Sequence, residues 1–178
     1  ECKKEKNMSL ICVSKPWEEL TKEELYRIIQ LRIEGFIVRD KTCYQDLEQY
    51  YDQCGWYLMF YDPIIGVEPQ LMVGQHQLCT RKVFTGDDGK EYKYPAWRRQ
   101  AWLKGYINLE YCDEMSRRVA IKMTGEPYTM HEMLNKEVAD KLVERVGFRY
   151  VKHYVDDHGR DNWIMVNDLR KDADKFEE

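Results

Sequence analysis

The chain has 178 residues, 43% of them hydrophobic and 34% charged, with a formal net charge of -4. That length suits one domain, and the apolar share is enough for a packed core, so disorder is expected only at the ends. The net negative charge disfavours nucleic-acid binding through a dominant basic surface, and no apolar run approaches the ~20 residues of a membrane helix.

Residues 1–8 read as a flexible, charged tail with no secretory apolar region behind it, which points to a cytoplasmic protein. Residues 9–169 read as the folded domain and 170–178 as a charged tail. Six cysteines, at 2, 12, 43, 54, 79 and 112, form no CxxC pair and no closely spaced Cys/His set. Reduced thiols acting as small apolar residues are expected, with no disulfide framework and no metal.

The first element is a short apolar strand at 9–14 (SLICVS). Thr21 then caps a helix, with Glu24 completing a capping box. Leu25, Ile28, Ile29, Arg32 and Phe36 trace one face of it, and Gly35 stands near its end. A loop follows at 40–53, rich in Tyr and acid. Residues 56–61 (WYLMFY) predict a buried strand, and 70–80 (QLMVGQHQLCT) a second strand in a hairpin with it. The segment 85–89 (TGDDG) is a turn signal, leading into a strand over 91–97.

Apolar positions at helical spacing predict a helix over 98–118, and the run 119–123 predicts a strand. Asn135 is the cap of another amphipathic helix that closes on Gly147. Two strands, 148–155 and 161–166, are joined by the turn at 156–159 (DDHG). The order β α β β β α β α β β implies an α/β or α+β fold, a mixed sheet with helices on both faces.

Two stretches carry a resemblance. The segment 25–48 (LYRIIQLRIEGFIVRDKTCYQDLE) resembles the opening helix and loop of the ElaA-like branch of the GNAT superfamily, through Leu31, Arg32, Phe36, Val38, Cys43, Tyr44, Gln45 and Asp46. The segment 119–166 is similar to the closing half of GNAT proteins, through Asn135, Ala139, Leu142, Gly147 and Phe148. Together they cover about half the chain. The resemblance implies the GNAT fold, a mostly antiparallel mixed sheet. It also implies transfer of an acetyl or other acyl group from acyl-CoA, most simply acetyl-CoA, to a primary amine on a small molecule or peptide. The amine would attack directly in a ternary complex, with a backbone N–H on a splayed central strand polarising the thioester.

In that family a helix N-terminus behind a Gly-rich loop holds the pyrophosphate. The matching place here is 97–102 (WRRQAW), where both glycines are missing unless Ala101 replaces the second. Arg98 and Arg99 either pair with phosphate or are solvated charges at a helix start; Gln100, Ala101 and the Asn135 cap complete the expected cofactor contacts. The whole transferase reading leans on a helix starting at Trp97 and facing an open gap in the sheet.

A Tyr that protonates the leaving thiolate is usual on the last helix; Val143 occupies that position, and the candidate substitutes are Tyr150 and Tyr154 on the next strand and Tyr106 and Tyr111 on the preceding helix, among which spacing does not choose. The base is sought in His76 or Glu91, with a satisfied half-buried histidine as the plain alternative for His76. Arg32, Phe36, Tyr44, Asp46 and Glu48 border the acceptor side, where acids and ring faces suit a cationic amine. They fit an ordinary packed loop as well.

Two other functions share this scaffold: a GNAT-like protein that has lost transfer and serves in binding or structure, and an acyl-homoserine-lactone-type synthase, which shares the Arg and Phe of the opening helix. No nucleic-acid or membrane partner is expected. Five Trp and thirteen Tyr suit a surface for a second copy, a homodimer, as well as they suit buried packing.

Overall fold

The computed structural model describes residues 9–41 and 46–169. Strand β1 (Ile11–Pro16) enters helix α1 (Lys22–Arg32), whose start is the expected capping box. The amide of Glu24 donates to Thr21 Oγ1 at 3.1 Å and the amide of Thr21 donates to Glu24 Oε2 at 2.9 Å. The helix does not stop at Gly35. It loosens into a π-helical segment, Ile33–Arg39. Gly35 lies inside that segment, and a Cβ there would sit 3.6 Å from Ala101 Cβ. The segment can therefore lie close against the central sheet.

A short helix α2 (Gln49–Asp52) precedes β2 (Gly55–Tyr61) and β3 (Gly74–Cys79). A two-residue hairpin, β4 (Phe84–Thr85) with β5 (Glu91–Tyr92), leads to β6 (Ala96–Trp102). Then come α3 (Leu109–Thr124), β7 (Thr129–Met133), α4 (Lys136–Val146), β8 (Arg149–Val155) and β9 (Asp161–Asn167). The seven long strands form one sheet in the order β1-β2-β3-β6-β7-β9-β8. Every neighbouring pair is antiparallel except β6 with β7, which is parallel.

Alternation along β2 shows how the sheet is covered. Tyr57, Met59 and Tyr61 point to one face, where α1 brings Ile28 and Leu31. Leu58 and Phe60 point to the other, where α3 and α4 bring Leu109, Cys112, Val119, Ala139 and Leu142. A strand buried on both faces reads as an unbroken apolar run, which is what WYLMFY is. A third cluster, Tyr92, Ala96, Met130, Val151, Ile164 and Val166, lies beneath the small hairpin. The expected mixed, mostly antiparallel sheet with helices on both faces is the observed one.

Two sequence expectations fail, and they fail together. The segment beginning at Arg98 is strand, not helix: Arg98–Trp102 belong to β6. Helix α3 starts eleven residues later, where Asn108 Oδ1 accepts from the amide of Tyr111 at 3.0 Å. The run 119–123, expected as a strand, is the end of α3, which stops at Gly125 with φ +83°. The true strand β7 follows it. The cause is an irregularity in β6. Gln77 pairs with Arg98 and Gln75 with Ala101, so Arg99 and Gln100 together oppose His76. That bulge breaks the two-residue alternation that identifies a strand. The tails expected at 1–8 and 170–178, and Tyr44, lie outside the described residues.

Candidate functional site

The centre of the sheet opens. β6 and β7 pair only through Ala96 with Met130 and Trp97 with His131. Beyond Trp97 each strand keeps its outer neighbour: β6 stays on β3 to Trp102, and β7 stays on β9 to Met133. Two parallel strands that share a start and then part leave a fork. The bulge of β6 stands at that fork, and Arg99 adopts φ +52° there. A non-glycine residue held at positive φ stores strain that the surroundings must enforce. Gln75 Nε2 donates to the Arg99 carbonyl at 2.6 Å, while Gln100 has no register partner on either neighbouring strand.

On the α1 face the fork is lined by charge. Arg32 is almost wholly buried, donating from Nε to Asp46 Oδ2 at 2.8 Å and from Nη1 to Asp52 Oδ1 at 3.1 Å. Burial alone would lower its pKa, but the two carboxylates more than offset that and raise it. Arg98 is ion-paired with Glu48 and lies 4.1 Å from the Tyr51 ring centroid. Arg99 reaches Glu48 at 3.0 Å and Asp46 at 3.5 Å. Burial would raise the pKa of Glu48, and the two arginines hold it below its usual value. Three guanidiniums thus meet three carboxylates, and Asp46, Arg98 and Arg99 are brought together only because the bulge turns both arginines to one face.

Register also places Glu132. Ala96 pairs with Met130 on the α1 face, so the next residue but one on β7, Glu132, emerges on that face beyond the fork. It is ion-paired with Lys82 at 2.7 Å and accepts from the Tyr154 hydroxyl. Burial opposes its ionisation, yet Lys82 and that hydroxyl hold its pKa low.

On the opposite face Trp97 stacks on His76, with centroids 4.9 Å apart, and the tilted His131 ring lies 5.2 Å from it. His76 Nε2 lies 2.8 Å from Ser116 Oγ, whose own hydrogen is given to the Cys112 carbonyl at 2.6 Å. His76 Nε2 is therefore the donor, and the ring is neutral. Burial pushes His76 down to about 3 and His131 to about 4. His76 Nδ1, His131 Nε2 and Trp97 Nε1 are buried with no hydrogen-bond partner.

Two helix starts border the fork. Residues 103–108 link β6 to α3, turn at Gly105 with φ +87°, and expose Lys104. A Cβ at Gly105 would meet nothing within 4 Å, so the loop is open. Glu110 in the first turn of α3 is neutralised by Arg145 at 2.8 Å. At α4, Asn135 Oδ1 accepts from the amide of Val138 at 3.2 Å.

The residues named from sequence divide accordingly. Arg32, Asp46, Glu48, Arg98 and Arg99 form one cluster on the α1 face. Ala101 is buried against α1, Phe36 is half-buried beside it, and Gln100 Nε2 points to Cys112 Sγ at 3.8 Å. Asn135 is outside that charged cluster, at the α4 start on the other side of the fork. His76, Glu91 and Tyr150 do not converge: His76 is in the interior, Glu91 is on the outlying hairpin paired with Lys93 at 3.1 Å, and Tyr150, on the outer strand β8, donates to Asp140 of α4 at 2.6 Å. Val143 packs against the α3 and α4 core. Tyr154, one of the candidate acids, instead donates to Glu132. Sequence reasoning missed Glu132, Lys104 and the role of Asn108. The pattern Asn108-Leu-Glu-Tyr111 was the available signal for the last.

Among the described residues no three His, Cys, Asp or Glu are grouped to hold a metal, and no helix is long and apolar enough to cross a membrane. No family model and no curated protein sequence matches the chain. Solved structures do. An acyl-CoA N-acyltransferase from Pseudomonas aeruginosa is similar at 21% identity over 89% of this chain and 99% of its own, with a TM-score of 0.63. Escherichia coli ElaA is similar at 15% identity over 89% and 99%, with a TM-score of 0.63. A CoA-dependent acyl-homoserine lactone synthase, BjaI, solved with SAM and isopentyl-CoA, is similar at 14% identity over 94% and 88%, again with a TM-score of 0.63. The chain has the fold of these proteins, and its resemblance to the GNAT superfamily, ElaA among it, holds at the level of the fold.

Proposed function

We propose that this chain is an N-acyltransferase that moves an acyl group, acetyl in the simplest case, from acyl-CoA to a primary amine by direct attack in a ternary complex. The helix at Trp97 on which the transferase reading leaned is absent, because that segment is β6; the observation that carries the reading instead is the fork between β6 and β7. A two-position parallel pairing that opens at a bulge gives an extended donor a slot between strands, with backbone amides along it.

The chain's residues fit an acyl-CoA. The 103–108 loop and the N-terminus of α3 offer amide hydrogens, a positive dipole end and Lys104 to a pyrophosphate. The N-terminus of α4, capped by Asn135, borders the same slot. When bound, acyl-CoA supplies the thioester. The Gln100 amide at the bulge is the group this reading aims at the thioester oxygen, where negative charge develops. The amine arrives from the α1 face. There Glu132, fixed as an anion, attracts and orients its ammonium form, whose proton passes through water before attack. Arg98 and Arg99, held by Glu48 and Asp46, are assigned to keeping the bulge in place and not to phosphate.

The test is thermal unfolding with acetyl-CoA, followed by release of free CoA thiol with a panel of amines. Saturation at 100-fold over Kd is worth about 2.7 kcal/mol, or about 5–10 °C for a chain of this size. Lys104→Glu is expected to shrink that shift without changing the melting temperature of the free protein. No shift at millimolar acetyl-CoA overturns the reading. A shift with no thiol release on any amine would favour the binding-only alternative, and a shift with S-adenosylmethionine the lactone-synthase one.

A further inference from the structure

At the closed end of the fork, where Cys79 pairs with Ala96, two thiols face each other. Cys54, between α2 and β2, has its sulfur 3.1 Å from that of Cys79 at the end of β3. We propose that Cys54 and Cys79 are an oxidisable dithiol that closes to a disulfide, tying the α2 segment to the central sheet.

A disulfide bond is about 2.05 Å long, so closure asks the sulfurs to approach by roughly an ångström. Register keeps the two close: Cys54 directly precedes Gly55, the partner of Cys79 on the neighbouring antiparallel strand. The two thiols also differ in access. Cys54 is half-buried, and Cys79 is fully buried beneath it. Cys54 is thus the sulfur a small oxidant meets first, and Cys79 the one placed to resolve it. The amide of Arg81 approaches Cys79 Sγ at 3.5 Å, and Cys54 donates to the Tyr51 carbonyl at 3.2 Å.

With a hydroperoxide as oxidant the chemistry balances in two steps. The Cys54 thiolate attacks the peroxide, the O–O bond breaks, and Cys54 becomes a sulfenic acid as one water or alcohol leaves. The Cys79 sulfur then attacks the Cys54 sulfur, the S–O bond breaks, and a second water leaves. Two thiols lose two electrons and two protons; one hydroperoxide is reduced. Burial, with Cys79 close by, pushes the Cys54 thiol up to about 12, against the pull of Arg81 and Arg98. Oxidation is therefore slow near neutrality and quickens about tenfold per pH unit, as the thiolate fraction does.

The closed form fixes the end of α2, where Asp52 receives Arg32 and where the Tyr51 carbonyl receives Gln77 Nε2 at 2.6 Å. The experiment is oxidation of the whole chain by hydrogen peroxide at pH 7 and pH 9, then chymotryptic mapping without reductant. Chymotrypsin cuts after Tyr44, Tyr51 and Leu78, so Cys43, Cys54 and Cys79 fall in separate peptides. The expected result is a linked Cys54–Cys79 pair lighter by two hydrogens, forming faster at pH 9. It should also raise the melting temperature by several degrees, reversibly with dithiothreitol. In Cys79→Ser the expected product is Cys54 carried to sulfinic acid. Pairing of either thiol with Cys2, Cys12, Cys43 or Cys112 overturns the proposal, as does Cys54 reaching sulfinic acid in the native chain with no linked peptide.

Discussion

Trp97 and His131 are the last register partners of the parallel β6–β7 pair, and their rings remain 5.2 Å apart on the α3 face as the strands part. On that face Trp97 is the centre of an aromatic cluster: His76 stacks on it, His131 is tilted against it and Phe148 meets it edge-on. The cluster's nitrogens carry no charge, and that has a measurable consequence.

Both histidines are held neutral, near 3 for His76 and 4 for His131, against about 6.5 in an unfolded chain. A histidine whose folded pKa is depressed lets the unfolded chain take up a proton that the native state refuses. Stability is therefore complete above about pH 6.5 and falls as the pH drops toward 4. Each residue contributes on the order of 2 kcal/mol of loss at pH 5. Urea unfolding at pH 7.5 and pH 5 should show this drop, and His131→Gln should reduce it. An unchanged midpoint between the two pH values would refute the buried-neutral assignment.

Arg32 is expected to matter far more than any surface cation. Its side chain is 2% exposed, and removing it takes away the guanidinium that Asp52 accepts from and leaves Asp46 with Arg99 alone. Arg32→Ala should cost about 3–5 kcal/mol in urea unfolding, the range for breaking a buried pair from one side. Lys141→Ala breaks an ion pair too, but the partners are 49% and 80% exposed. Its cost should stay within about 0.5 kcal/mol. Equal costs for the two variants would mean that the Arg32 cluster is solvated.

How much of this was legible follows the periodicity. WYLMFY announced a buried strand because it is apolar on both faces, and Thr21 with Glu24 announced a helix start through hydrogen bonds made within three residues. The β6 bulge was not legible. One extra residue opposite His76 scrambles the alternation, and Arg98 through Ala101 then fit helical spacing by accident. The fork itself depends on which strands pair, which is long-range information. Asn135 and Gly147 were readable as helix caps because capping is local, whereas Glu132 gains its place only from register with Met130 and Ala96.

Two glycines separate crowding from backbone strain. Gly74 is the register partner of Trp102, whose indole lies over it; a Cβ there would sit 2.1 Å from Trp102 Cε3. Phe60, with its centroid 4.7 Å away, holds the indole from the other side. Gly74→Ala must therefore displace a packed ring, at about 3 kcal/mol. At Gly105 a Cβ would meet nothing, but φ is +87°. Gly105→Ala pays only for the backbone conformation, about 1 kcal/mol. Urea midpoints give both costs. Near-ultraviolet circular dichroism should change in Gly74→Ala alone, because only there does a tryptophan move. An altered aromatic signal in Gly105→Ala, or none in Gly74→Ala, would contradict the placement of Trp102 over Gly74.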